Sequence, residues 1–164
     1  MARILRILHV LAAATALVVA VGAAERDGAR ANGWEHTTVP IEALFEALRF
    51  DDPVTRARAA ESLGYRREPE AFAPLRAALE RPEDDPNVRS AIYTALGALG
   101  DPRAVPVLQD CLDREQRAEL RAECVAALGR LAQPESLPRI IAATRDDPSI
   151  LVRSRAVDAL GHYD

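Results

Sequence analysis

Apolar and polar positions follow a helical period from about residue 39 onward, and the pattern itself recurs. Four stripes read Thr55-Ala59-Ser62-Leu63-Arg66, Val88-Ile92-Ala95-Leu96-Leu99, Leu120-Cys124-Ala127-Leu128-Leu131 and Val152-Ala156-Ala159-Leu160-Tyr163. These positions, i, i+4, i+7, i+8 and i+11, are one face of an α-helix and are small or apolar except in the first copy, the weakest, with Thr55, Ser62 and Arg66. An arginine stands second in each copy (Arg56, Arg89, Arg121, Arg153), and a glycine follows each conserved-register leucine (Gly64, Gly97, Gly129, Gly161). The Leu-Gly steps are 33, 32 and 32 residues apart. Self-similarity at that period marks an array of stacked helical units.

Asp52-Pro53, Asp85-Pro86 and Asp147-Pro148 supply start signals for this first helix type, here called A. Asp accepts hydrogen bonds from free N–H groups of the first turn, and Pro fits the first helical position. The third copy reads Gln116-Arg117 instead, and in the fourth the Asp-Pro lies two residues further upstream, which predicts a longer loop there. The glycine after each leucine is expected to break the helix near its end. A second helix type, B, is predicted from Ile41-Leu44-Leu48, Phe72-Leu75-Leu79, Val105-Leu108-Leu112 and Leu137-Ile140-Thr144, with Pro74, Pro106 and Pro138 in its first turn or so. The order is B-A four times. A lone hairpin cannot bury its stripe, so neighbours must stack. The fold class is all-α: a solenoid of stacked antiparallel helix pairs.

The run Asp-Pro-Asn-Val-Arg-Ser-Ala-Ile-Tyr-Thr-Ala-Leu-Gly-Ala-Leu-Gly-Asp-Pro-Arg-Ala-Val-Pro-Val-Leu at 85–108 closely resembles the short HEAT-like repeat of the kind also found in phycobilin lyases. The resemblance covers roughly residues 39–164 and implies an armadillo-type superhelix. It also implies that the B helices form a concave face, which would present Arg76, Gln109, Asp110, Asp113 and Arg145. In such repeats a similar arginine ladder is structural. Iron-dependent hydroxylases built on this repeat carry paired His-Glu ligands; this sequence has no His-Glu step, so their activity is not implied.

Residues 1–24 read as a secretory signal: Arg3 and Arg6, an apolar stretch from Val10 to Val21, then small residues through Ala23-Ala24 before Glu25. The alternative is an uncleaved anchor, since Ile7–Ala24 is 18 residues long, the lower limit for a bilayer span. Residues 25–38 read as a flexible lead-in. The expected location is periplasmic or extracellular. Net charge is −4, and loss of the signal leaves 19 basic against 25 acidic residues. That balance argues against nucleic acid as a partner.

Cys111 and Cys124 invite a disulfide in an exported protein. With the turn centred at Glu115, their axial offset would be about 7.5 Å at 1.5 Å per residue. An interaxial distance of roughly 8–10 Å would then leave the Cα atoms about 10 Å apart, beyond bridging range. Two buried free thiols are expected.

No catalytic or metal-binding residue is assigned, and no cofactor. His36 and His162 lie at opposite ends of the array, and a zinc site needs three or four converging ligands. Glu83-Asp84-Asp85 and Asp146-Asp147 lack the alternation and central glycine of a calcium loop. Ser62, Ser90, Ser136, Ser149 and Ser154 have no histidine nearby in sequence, and there is no Gly-rich phosphate loop. The arginine ladder is expected to pair with acids such as Glu68 or Asp101. Trp34 is expected to pack on the first helix. The resulting expectation is a non-catalytic, exported scaffold that binds another protein, with self-association through the C-terminal helix as a further option. Membrane contact is expected only if the N-terminal segment stays uncleaved. A bilin-lyase-like or other enzyme or enzyme helper, and an anchored structural module, are the alternatives.

Overall fold

A computed structural model of the chain describes residues 39–82 and 85–163; the expected signal, lead-in, Trp34, His36 and the Glu83-Asp84 pair lie outside them. The described residues form eight α-helices and no strand. They are α1 (Ile41–Ala47), α2 (Pro53–Arg66), α3 (Phe72–Leu79), α4 (Pro86–Ala98), α5 (Ala104–Arg114), α6 (Ala118–Leu131), α7 (Leu137–Asp146) and α8 (Ile150–Leu160). Short 3-10 turns, Pro69–Ala71 and Pro134–Ser136, lead into α3 and α7. Proline starts both because it lacks only an N–H that a first turn leaves unpaired.

The A helices α2, α4, α6 and α8 stand side by side and make the most extensive contacts of the fold. Each B helix lies against its own A partner, α1 on α2 through α7 on α8. The two layers close over one core in which Leu63, Leu96, Leu128, Leu44, Leu75, Leu108 and Ile140 are fully buried. The predicted stripes are the buried faces: even Thr55 and Ser62 of the polar first copy are enclosed.

Every A helix begins three residues before its ladder arginine, at Pro53, Pro86, Ala118 and Ile150. Asp52 accepts from the Thr55 N–H at 2.8 Å, and Asp85 from the Asn87 N–H at 2.8 Å. In the fourth copy Asp147 accepts from the Ser149 N–H, and α8 starts two residues after Pro148. The longer loop expected there is absent, because α7 continues to Asp146 and only residues 147–149 connect the two helices.

The glycines do not end the helices, as the sequence led us to expect. Gly64, Gly97 and Gly129 lie inside α2, α4 and α6, which run on to Arg66, Ala98 and Leu131. The left-handed residues come later, at Arg67 (φ 53°), Gly100 (φ 71°) and Ala132 (φ 48°). The glycines serve packing instead. A Cβ on Gly97 would lie 2.7 Å from the Ala127 Cβ and 2.8 Å from its Cα. A Cβ on Gly64 would lie 2.6 Å from the Ala95 Cα, and one on Gly129 2.7 Å from the Ala159 Cβ. Ala159 is therefore the seat of α8 on the preceding A helix.

Cys111 and Cys124 form a disulfide, with Cα atoms 6.4 Å apart. The expectation of two free thiols fails on the position of the turn. Residues 115–117 connect α5 to α6, so the turn centres on Gln116 and the two cysteines are nearer in height than estimated. Cys111, buried on α5, also faces the α6 stripe directly, closing the lateral distance.

The bridge closes a loop with a sequence separation of 13. Loops of that size are worth about 3 kcal/mol through the entropy of the unfolded chain. Urea unfolding with reductant, or of Cys111→Ser/Cys124→Ser, is expected to show a loss of that order; an unchanged midpoint would contradict the pairing.

Candidate functional site

The arginine ladder folds back onto its own turns. The Arg56 Nη1 donates to the carbonyls of Phe50 (2.6 Å) and Asp51 (2.7 Å). Arg121 Nη1 does the same to Glu115 (3.1 Å) and Gln116 (2.9 Å), and Arg153 Nη1 to Asp147 (2.9 Å) and Pro148 (3.1 Å). These carbonyls lie in the turns that connect the helices, where no helix ladder pairs them. The other edge of the guanidinium reaches the next repeat. Arg121 Nε and Nη2 grip both Asp147 oxygens at 2.8 and 2.9 Å, and Arg89 Nε lies 3.3 Å from Glu115. The ladder is structural, but the partners differ from those expected. Glu68 pairs with Arg66, and Asp101 with Arg103.

One groove stands out among the described residues. It lies between α3 and α5 with α4 as its floor, and it encloses about 580 Å³. Arg89, Tyr93 and Glu115 form the floor, with Arg89 donating to the Tyr93 hydroxyl at 2.6 Å. Burial pushes the Tyr93 hydroxyl pKa upward. On the walls Arg103 stacks 4.6 Å above the Phe72 ring and is held by Asp101. Arg76 pairs with Glu80, and Arg114 with Asp110, across successive turns of their helices. Such exposed pairs are worth about 0–1 kcal/mol and give way readily to a ligand.

Of the residues expected on the B-helix face, Arg76 and Asp110 line this groove. Gln109 instead donates to the Glu135 carbonyl, Asp113 pairs with Arg139 on the next B helix, and Arg145 is exposed in the last turn of α7. Sequence reading missed Phe72, Tyr93 and Arg103 as site residues. Tyr93 carried a signal: its column otherwise reads Ala60, Val125 and Val157, so a tyrosine there is out of pattern.

Among the described residues no group of three or more His, Cys, Asp or Glu is placed to hold a metal ion. His162 is exposed, and both cysteines are spent in the disulfide. Asp85 accepts from the Asn87 N–H and Asp147 from the Ser149 N–H, and Asp147 also pairs with Arg121. Ser62 and Ser136 are buried. No described helix is long and apolar enough to cross a membrane.

Stacked helix pairs joined by small-residue contacts and an arginine ladder define a helical repeat protein, and comparison with known proteins makes the class specific. The HEAT repeats family model matches residues 41–128 and 112–164, so the chain belongs to the HEAT-repeat family. It is 29% identical over 105 residues to deoxyhypusine hydroxylase-B of Oryza sativa subsp. japonica, covering 64% of this chain and 35% of that protein. To deoxyhypusine hydroxylase of Eremothecium gossypii it is 37% identical over 84 residues, 49% of this chain and 26% of that one. A third such hydroxylase, from Debaryomyces hansenii, is 27% identical over 104 residues, covering 63% and 33%. The chain thus spans about a third or less of these relatives.

These relatives overturn the expectation of a non-catalytic scaffold: three proteins named as enzymes point to an enzyme. The sequence reading went astray because the recurring columns encode packing, which a scaffold and an enzyme on this repeat share. The described residues nonetheless do not fit an iron centre, lacking any His-Glu step and any convergent donor set. No step through a metal is assigned to them.

The Arg121–Asp147 pair has a pH signature. Its hydrogen bonds with Arg121, and secondarily the Ser149 N–H, hold the Asp147 carboxyl below the usual carboxylate range against the opposing effect of burial. The folded-state pKa lies below the unfolded one, so this stabilisation is complete above the ordinary Asp value and is lost as pH falls through the lowered one. Asp147→Asn is expected to cost about 1.5–3 kcal/mol at neutral pH, as for hydrogen bonds to charged groups. The cost should shrink in acid; an equal cost at both ends of the pH range would contradict it.

Proposed function

We propose that this chain is part of an enzyme, as its relatives are named deoxyhypusine hydroxylases, and that the α3–α5 groove binds a polypeptide segment that such an enzyme acts on. The observation that carries this reading is the α3–α5 groove itself. Its four arginines, three carboxylates and two aromatic rings suit a polypeptide, which offers charges of both signs and apolar side chains. A mixed-charge surface of this sort gives selectivity through charge complementarity more than through raw affinity. The reactive centre of such an enzyme is not assigned to the described residues. The α3–α5 groove is a binding part.

The test is binding of a deoxyhypusine-bearing peptide, followed by NMR on the labelled protein. Shifts are expected at Tyr93, Arg103 and Phe72, with Phe72→Ala weakening binding by about tenfold, or 1.4 kcal/mol. Shifts confined to other faces, or none at saturating peptide, would contradict the assignment.

We further infer that the protein is exported. Support comes from Arg3 and Arg6, the apolar stretch that follows and the small residues before Glu25. The Cys111–Cys124 disulfide is consistent with this, since such bonds persist in oxidising compartments. N-terminal sequencing of the mature protein is expected to begin near Glu25; a start at Met1 or Ala2 would favour the uncleaved anchor.

A further inference from the structure

The α3–α5 groove differs at its two ends. Its three carboxylates, Glu80, Asp110 and Glu115, lie in or just beyond the closing turns of α3 and α5. Arg76, Arg114 and Arg89 meet them there. At the opposite end, where α3 and α5 begin, the described lining has an arginine and no carboxylate. Arg103, immediately before Ala104, stacks on Phe72, the first residue of α3. Four lining arginines against three lining carboxylates leave one positive charge, and it falls at this end. The N-terminal ends of both helices add to it.

Arg103 is held ready for a ligand. Asp101, outside the lining and largely buried, takes its Nε and Nη2 at 2.9 and 2.5 Å. Nη1 makes no hydrogen bond among the described residues, and the side chain is 60% exposed. The stack and the double hold remove freedom that a long side chain otherwise gives up on binding. Tyr93 supplies a second donor. It is 3% exposed, its hydroxyl accepts from Arg89 at 2.6 Å, and no described group accepts its own proton. Burial raises the phenol pKa and so keeps that proton in place. A hydroxyl that accepts from a cation donates more strongly to the next group.

An acidic side chain suits Arg103, and a main-chain carbonyl suits Tyr93; a polypeptide carries both. A phosphorylated residue matches less well, because its charge of about −1.5 to −2 exceeds the one unbalanced positive charge. We propose, building on the reading of this groove as a polypeptide site, that it selects segments containing an acidic residue. The Asp or Glu side chain sits on Arg103 at the Phe72 end, and a carbonyl of the same segment accepts from the Tyr93 hydroxyl.

The test is an NMR titration of the full chain, isotope-labelled at arginine, with three capped peptides: acetyl-Leu-Glu-Leu-amide, its glutamine counterpart and its phosphoserine counterpart. The glutamate peptide is expected to move the Arg103 side-chain signal and to bind about tenfold more tightly than the glutamine peptide. It should also bind more tightly than the phosphoserine peptide. Arg103→Gln should remove the glutamate preference, with glutamine-peptide affinity and circular dichroism unchanged; Arg103→Lys should keep part of it. Tyr93→Phe should weaken the glutamate and glutamine peptides by the same factor. Equal binding of these two peptides, a preference that survives Arg103→Gln, tighter binding of phosphoserine, or no binding of any of the three would overturn the proposal. The deoxyhypusine-peptide test fails separately. If that peptide does not bind and the glutamate preference is seen, the enzyme reading falls and the acid site stands. If it binds and glutamate and glutamine are alike, the acid site alone falls.

Discussion

Three glycine-on-alanine contacts govern this molecule. Gly64 on Ala95, Gly97 on Ala127 and Gly129 on Ala159 leave no room for a Cβ on the glycine side. In a helix interior glycine costs roughly 0.8–1 kcal/mol relative to alanine, so its recurrence within three helices needs an offsetting gain. That gain is the close approach of neighbouring A helices, which seals the leucine and alanine columns from water and adds the dispersion contacts of a dense interior. A chain with only 4% aromatic residues builds its core this way, from thin helices packed tightly, in place of bulky rings.

The second layer depends on the first. Once the A helices are fixed, Arg56, Arg121 and Arg153 each tie the turn before them to the helix they sit on, and Arg121 and Arg89 carry the tie to the following repeat. The B helices lie on their own partners and touch one another little. Clefts therefore open between B helices, and the α3–α5 groove is one of them. The Cys111–Cys124 bridge pins one of its walls, α5, to α6. A rigid layer thus carries a more open one, and the open one holds the candidate site.

The architecture was legible in the sequence because packing imposes a period, and a period survives substitution. Asp52 and Asp85 as caps, the leucine columns and the prolines opening the B helices all follow from local rules. The role of the glycines was not, since a glycine near a helix end reads equally as a stop signal or as a contact. Only the neighbouring helix distinguishes the two. The disulfide was missed because the turn was placed one residue off and the interaxial distance was taken as the lateral spacing, whereas cysteines on facing sides of two helices sit closer than the axes. The groove was hidden because Phe72, Tyr93 and Arg103 come from three elements and are ordinary residues in their own stretches. The enzyme relationship lay outside what packing columns record.

A double-mutant cycle on Gly97 and Ala127 tests the central claim most directly. If the close approach sets the stack, Gly97→Ala lowers stability by about 1–3 kcal/mol through overpacking, although helix propensity alone would raise it by about 1 kcal/mol. Ala127→Gly in that background should then recover part of the loss, giving a coupling well above the roughly 0.3–0.5 kcal/mol within which independent sites add. A stabilising Gly97→Ala with additive effects would show that the A helices have room to spare, and the account would fail.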